Sequence, residues 1–307
     1  MGKKLAISFS GGRTSAVMTH ILWEQYKKGE LSYDHIEITF ANTGCEHHAT
    51  LDFVRACEFE FGWPVVWIEA VVGTKGVGIR HSITDYENAD REGRVFESYI
   101  QKYGIPNRNK PQCTARLKEE AMESYLRTKG YKFSRTHGYG HDTAIGIRAD
   151  EMDRMSANRE KRRFIYPLVD AGMNKRDVAM YIKKHFPFDL QIKGDHYGNC
   201  VWCWKKSNRK LYTLALEDPS VFDFPARMEE KYKKHKSKNE FGVSCFFRGR
   251  KTAEDIKREA LDQEFNNPDW SRYEDDPWDH GKQAGLFDDR LDVGGACGDS
   301  CEIGADE

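Results

Sequence analysis

Residues 8–18, SFSGGRTSAVM, set hydroxyl side chains, two adjacent glycines and an arginine between two apolar runs. Residue types in that order suit the holding of phosphate. The first N–H groups of a helix lack partners within it and attract anions. Gly11 and Gly12 let the backbone curl closely round such a group without a Cβ in the way. Ser10, Thr14 and Ser15 add hydroxyls, and Arg13 adds a charge. The spacing is neither Gly-x-x-x-x-Gly-Lys nor Gly-x-Gly-x-x-Gly, and no lysine follows to hold a γ-phosphate.

Other polar residues belong with this turn. Asn42, Thr43 and Gly44 end a second apolar run, at the edge where open α/β sheets bind ligands. Lys118 stands near the start of a helical pattern, well placed for an anion. Arg148 and Arg154 could clamp oxyanions, with Asp150 and Glu151 to orient them or to hold magnesium. His137 and His141 flank a Gly-Tyr-Gly, Gly138 to Gly140, at an expected strand end, a position suited to ligand contact. His47 and His48 precede a helix and could touch substrate, cap the helix or lie on the surface.

Of the eight cysteines, Cys200 and Cys203 form a Cys-x-x-Cys pair whose thiolates could face one metal. A thioredoxin-like pair would open a helix directly after a strand, a context not evident here. Cys113 and Cys245 complete the favoured set of four, suited to zinc or a four-iron cluster, with Cys297 or Cys301 as alternates for either single cysteine. Cys57 shares an apolar helical face with Phe53 and Val54 and reads as core.

These residues need elements to hold them. Apolar runs at 4–10, 35–42, 64–70 and 132–140 read as strands, and periodic segments at 15–29, 50–62, 114–130 and 174–185 as helices. Thr114 and Asn174 are the expected N-caps of the last two. The Gly-rich stretch 71–110 reads as irregular, broken by a short helix at 94–103. Beyond 190 the rhythm weakens to helices at 206–216, 223–238 and 252–262, then an irregular tail. The expected class is α/β, a Rossmann-like parallel sheet of about five strands with helices on both faces, plus a helical C-terminal extension. A core over 1–190 and a cysteine-containing cap over 191–307 follow.

The 307 residues are 39% hydrophobic and 32% charged, with a net charge of −1. No run of 18 apolar residues occurs, so no membrane span is expected. The N-terminus is too abrupt for a secretory signal, and a cytoplasmic location is the expectation. Basic runs at 158–163, 205–210 and 231–238 could steer a polyanion.

The motifs together resemble a known family. SFSGGRTS is similar to the pyrophosphate-binding loop of the adenine nucleotide α-hydrolase-like, or PP-loop ATP pyrophosphatase, superfamily. FANTGCEHHATLDFV (40–54), CTARLK (113–118) and GIRADEMDRM (146–155) resemble the phosphoadenylyl-sulfate (PAPS) reductase branch. The resemblance covers about residues 5–210 and implies an adenine nucleotide, ATP or PAPS with Mg2+, over the C-terminal ends of parallel strands. Ser8, Ser10, Gly11, Gly12, Arg13, Thr14, Ser15, Asn42, Thr43, Gly44 and Gly138 would bind it; Arg13, Lys118, Arg148 and Arg154 would act on phosphate or sulfate. Thr14 stands where many members have Asp. The segment GGACGDSCE lacks the Glu and His that flank the nucleophilic cysteine of the reductases, whereas relatives that move sulfur into nucleic-acid bases hold a cluster on cysteines.

Three readings follow. An ATP-using sulfur-transfer or nucleotide-modifying enzyme leads. A PAPS or adenylyl-sulfate (APS) reductase, with Cys297 or Cys301 as nucleophile, is second. A non-catalytic nucleotide- and zinc-binding module is third. Besides the nucleotide, a nucleic acid, a sulfur-donor protein and a second copy of the chain are the partners considered, with no membrane.

Overall fold

The structure is a computed structural model, and it describes residues 2–74, 76–134, 136–235 and 243–275. The chain runs β1 (Lys4–Ser8), α1 (Arg13–Lys27), β2 (His35–Asn42), α2 (His48–Phe61), β3 (Val65–Val72), β4 (Ile79–Thr84) and α3 (Arg94–Tyr103). A π-helical turn (Ala115–Glu119) leads into α4 (Glu120–Thr128). Then come β5 (Asp142–Ile145), α5 (Arg159–Arg162), β6 (Phe164–Ile165), α6 (Pro167–Asp170), α7 (Lys175–His185), α8 (Asn208–Glu217), α9 (Asp223–Tyr232) and α10 (Ala253–Asn266).

The described strands form one sheet in the order β4-β3-β2-β1-β5-β6. All neighbours are parallel except β3 and β4. Side chains alternate across β1: Leu5 and Ile7 enter a core with α1, α2 and α7, and Ala6 enters the opposite core. That second core is continuous from Tyr99, Ile100 and Leu117 to Trp202, Leu214, Phe246 and Ile256, so the C-terminal helices share it. The chain lays β2 and β3 on one side of β1, and β5 and β6 on the other. The β1–β5 boundary is therefore the switch point where such sheets open a crevice.

The expected α/β sheet with helices on both faces is present, and four details differ. β4 lies inside the stretch expected to be irregular; it folds back antiparallel on β3, with Val72 opposite Ile79. The 132–140 segment is not a strand: pairing with β1 begins at Asp142, and Gly138 and Gly140 turn the chain before it. A two-residue β6 adds the far edge. Thr114 makes no side-chain cap; the turn after it winds as a π-helix before α4 begins. Asn174 caps α7 as expected, accepting the Asp177 N–H at 3.1 Å while Asp177 accepts the Asn174 N–H at 2.9 Å. Among the described residues no helix is long and apolar enough to cross a membrane.

Candidate functional site

Sequence dictates the turn after β1. Gly11 adopts φ +77°, a left-handed conformation costly for any residue with a Cβ. A Cβ there would meet Thr50 Cγ2 at 2.7 Å and Val54 Cγ2 at 3.0 Å, so the turn is seated against α2. Gly12 takes the N-cap position of α1 and offers no side chain. Ser15 ties the curl: its hydroxyl accepts the Ser10 N–H at 3.1 Å, lies 2.9 Å from the Ser10 hydroxyl and donates to the Gly12 carbonyl at 3.0 Å.

Two cavities meet at this turn, and Ser10 lines both. The first is a cleft over the C-terminal ends of β1, β2 and β5. Ser8, Ser15, Thr39, Ala41, Thr143 and Gly146 form its floor. Lys118, Glu119, Met122 and Glu123 wall one side, and Phe133, Tyr139, Arg162 and Phe164 the other. Arg162 lies over the Phe164 ring at 4.5 Å and pairs with Glu119 at 2.8 Å. The Tyr139 hydroxyl donates to Glu123 at 2.6 Å. This mainly apolar slot, about 90 Å³, carries polar groups at its rim.

The second cavity, about 940 Å³, lies beyond the turn. Gly11 to Thr14, Arg148, Arg154, α7 and the 186–195 segment enclose it. Its arginines are matched by carboxylates. Arg13 donates to Asp189 at 2.7 and 3.2 Å and to the Leu190 carbonyl at 2.8 Å. Arg148 donates to Asp150 at 3.0 Å and to the Thr14 hydroxyl at 3.3 Å, and lies 3.4 Å from Glu151. Arg154, almost fully buried, pairs with Glu151. Burial works against the Arg148 charge, but Glu151 and Asp150 outweigh it and raise its pKa.

Asn42, Thr43 and Gly44 line neither cavity. Asn42 is buried and donates to Glu69 at 2.6 Å and to the Asp90 carbonyl at 2.9 Å. Gly44, at φ +80°, leaves no room for a Cβ beside the Asp90 carboxylate. Thr43 donates its N–H and its hydroxyl to Glu46, both at 2.9 Å. Lys118 reaches Glu46 at 3.1 Å from the π-helical turn; such turns recur at functional sites. Gly138 lines neither cavity: it turns against the Lys161 carbonyl, which accepts the Tyr139 N–H at 2.9 Å. His47 caps α2, accepting the Ala49 N–H. His141 is buried beneath Tyr139, and burial holds its pKa down to about 4.

The cysteines are arranged differently from the expected tetrad. Among the described residues no group of three or more His, Cys, Asp or Glu side chains is placed to hold a metal ion, so Cys113, Cys200, Cys203 and Cys245 do not assemble into one. The Cys200–Cys203 turn has partners of its own. It pairs antiparallel with the 45–46 segment, Val201 N–H donating to the Cys45 carbonyl at 3.0 Å. The Cys200 sulfur comes 3.4 Å from the Thr43 hydroxyl. The Lys206 ammonium fills the turn, donating to the carbonyls of Gly198, Cys200 and Val201 at 2.7–2.9 Å. Cys45 is its buried thiol neighbour; burial first, then Cys200 and Glu46, push its pKa well up. Cys245 lies elsewhere, by α9, and burial raises its thiol to about 11. The alternates Cys297 and Cys301 lie outside the described residues.

Sequence reasoning passed over Glu46, Asp189, Arg162 and Tyr139. Glu46 carried a local signal, directly following the Asn-Thr-Gly-Cys run. Asp189 carried none, since it reaches Arg13 from 176 positions away.

Comparison with known proteins bears on the family of the chain. The phosphoadenosine phosphosulfate reductase domain matches residues 4–186, more than half of the chain. An uncharacterized nin region protein of Escherichia phage lambda is 35% identical over 217 residues, 69% of each chain. An uncharacterized protein of Methanocaldococcus jannaschii is 23% identical over 224 residues, 70% of this chain but 45% of that one. The solved PAPS reductase of Candida auris, in its phosphate complex, is 16% identical with a TM-score of 0.36, over 61% of this chain and 75% of that one, too distant to add to the assignment. By the extent of the domain match, the chain belongs to the phosphoadenosine phosphosulfate reductase domain family.

Proposed function

We propose that the chain is a PP-loop enzyme that activates an acceptor with ATP for sulfur transfer or nucleotide modification, releasing pyrophosphate. One observation carries the reading: Ser10 lies on the wall of both cavities, so a nucleotide with its base in the cleft would run its phosphates across the turn toward the larger space. Adenosine lies between Met122 and Phe164. The N–H groups of the turn and of the first residues of α1 receive the β- and γ-phosphates. An acceptor oxygen in the larger cavity attacks the α-phosphorus. The bond from that phosphorus to the pyrophosphate oxygen breaks, and the charge released falls to the turn amides and Arg13. A hydrosulfide-class donor then attacks the adenylated carbon; the C–S bond forms, the C–O bond breaks, and AMP leaves.

Magnesium ordinarily accompanies such nucleotides. Asp150 and Glu151, the carboxylates expected to hold it, are committed to Arg148 and Arg154, so no step is assigned to a protein-held ion. The same holds for zinc or an iron–sulfur cluster, because the described cysteines do not form a donor set.

The family match favours a second reading, PAPS or APS reduction. A cysteine thiolate attacks the sulfur, the S–O bond to the nucleotide breaks, and S-sulfocysteine and an adenosine phosphate result. A dithiol reductant then frees sulfite. Incubation with α-labelled ATP and candidate acceptors separates the two. The leading reading expects AMP and pyrophosphate in equal amounts; sulfite from PAPS in the presence of dithiol, without pyrophosphate from ATP, overturns it.

A further inference from the structure

The far wall of the larger cavity holds a carboxylate that the nucleotide reading does not use. Asp275 accepts from the Lys175 ammonium at 2.5 Å and from the Asp195 N–H at 2.9 Å. Its side chain is only 11% exposed. All three residues line the cavity that opens from the phosphate turn. A built approach admits it: a Cβ on Gly194 would stand 2.9 Å from Asp275 Cβ and 2.7 Å from His196 Nδ1. The chain leading to Asp275 is fastened to α8. Arg209 donates to the Ser271 and Arg272 carbonyls, both at 3.0 Å, and Tyr273 N–H donates to the Thr213 hydroxyl at 2.7 Å. Lys210 stacks over Tyr273 at 4.7 Å and lies 3.4 Å from the Asp195 carboxylate. Burial opposes the Asp195 charge, but Lys210 and Lys175 hold its pKa below the usual carboxylate range.

We propose that Lys175 and the Asp195 N–H form a subsite for a tetrahedral oxyanion, a sulfate or phosphate group, occupied in the resting chain by its own Asp275 carboxylate. The geometry is that of an ammonium and a backbone amide converging on one oxyanion, the pairing that makes charge-assisted hydrogen bonds strong. A divalent oxyanion outcompetes a single carboxylate there because it carries more charge and more acceptor oxygens. Asp275 would then swing out on the few residues beyond its α8 anchors, so the chain's own side chain competes with ligand. The subsite stands on Lys175, Asp195 and Asp275 and does not depend on the nucleotide reading.

The test titrates inorganic sulfate into the full chain by calorimetry, without nucleotide. Asp275→Asn should bind sulfate about tenfold tighter than wild type, because the competing charge is gone while the side-chain shape stays. Asp275→Glu keeps the charge and should show no such gain. Lys175→Met in the Asp275→Asn background should lose at least the tenfold gained. Asp275→Asn binding no better than wild type overturns the proposal, as does a gain in Asp275→Glu or an intact gain without Lys175. Repeating the Asp275→Asn titration with ATP present identifies the source of the anion. Sulfate binding abolished by ATP means the subsite serves the nucleotide's own phosphates; sulfate binding retained means it serves an oxyanion on the second substrate. Both of these outcomes support the subsite, and a chain that binds sulfate but not ATP would remove only the nucleotide reading.

Discussion

The Lys118 ammonium stands 3.1 Å from the Glu46 carboxylate, whose side chain is 1% exposed. Glu46 also receives the Thr43 N–H and hydroxyl, and that hydroxyl touches Cys200. One buried carboxylate thus joins the cleft wall to the cysteine turn. Removing one partner of a buried pair leaves an uncompensated charge, at a cost of about 3–5 kcal/mol. Glu46→Ala should therefore lower the unfolding free energy by about that much, measured by urea denaturation. Lys118→Met should cost a comparable amount and also weaken nucleotide binding. The double variant should lose less than the sum of the two single losses.

Gly11 and Gly29 have nearly the same left-handed backbone, φ +77° and +71°, in different surroundings. A Cβ at Gly29 meets nothing within 4 Å, whereas one at Gly11 collides with Thr50. Gly29→Ala should cost roughly 1 kcal/mol, the conformational term alone. Gly11→Ala should cost about 2–4 kcal/mol, the same term plus overpacking, and should abolish nucleotide binding. Equal costs would mean that the turn is not seated on α2.

Arg13 is committed to Asp189 and Leu190, yet it sits in the first turn of α1 beside the expected phosphates. If its role is to meet phosphate, Asp189→Asn should release it and tighten ATP binding, while Arg13→Ala should weaken binding about tenfold. If it only fastens the 187–190 segment, the two variants should behave alike in calorimetry. The account expects the divergence.

Two buried groups give opposite pH slopes. Glu229 accepts the Phe246 and Ala253 N–H groups at 3.0 and 2.8 Å, but burial dominates and raises its pKa from 4.5 to about 7. The folded state therefore binds the extra proton, and this stability is full below about 4.5 and is lost as pH rises to about 7. His141 has the reverse sign. Burial lowers its pKa from 6.5 to about 4, so its contribution is full above 6.5 and is lost as pH falls toward 4. The slopes oppose each other in the wild type. Glu229→Gln should leave stability rising with pH between about 4 and 6.5, and His141→Phe should leave it falling between about 4.5 and 7. Chemical denaturation across that range reads both.

The tight turn after β1, the first three strands and the capping box of α7 were legible because their signals are local: paired glycines, apolar runs, Asn174 three positions before Asp177. β4 was hidden because its glycine-rich lead-in reads as loop and its half-exposed edge, with Arg80, Ser82 and Ile83 facing outward, lacks a buried strand's apolar run. The π-helical turn at Lys118 has no compositional mark. The Cys-x-x-Cys turn was visible, but its partners were not. Which side chains meet it is decided by chain segments more than a hundred residues apart, and Lys206 takes the inside of the turn.

The central claim is that the amides of the turn after β1 grip a nucleotide's phosphates between the two cavities. A crystal structure with a non-hydrolysable ATP analogue tests it most directly. The account expects phosphate oxygens about 3 Å from the N–H groups of residues 11–15, with the base between Met122 and Phe164. An analogue bound elsewhere while that turn stays empty, or one that fails to bind at millimolar concentration, would contradict it.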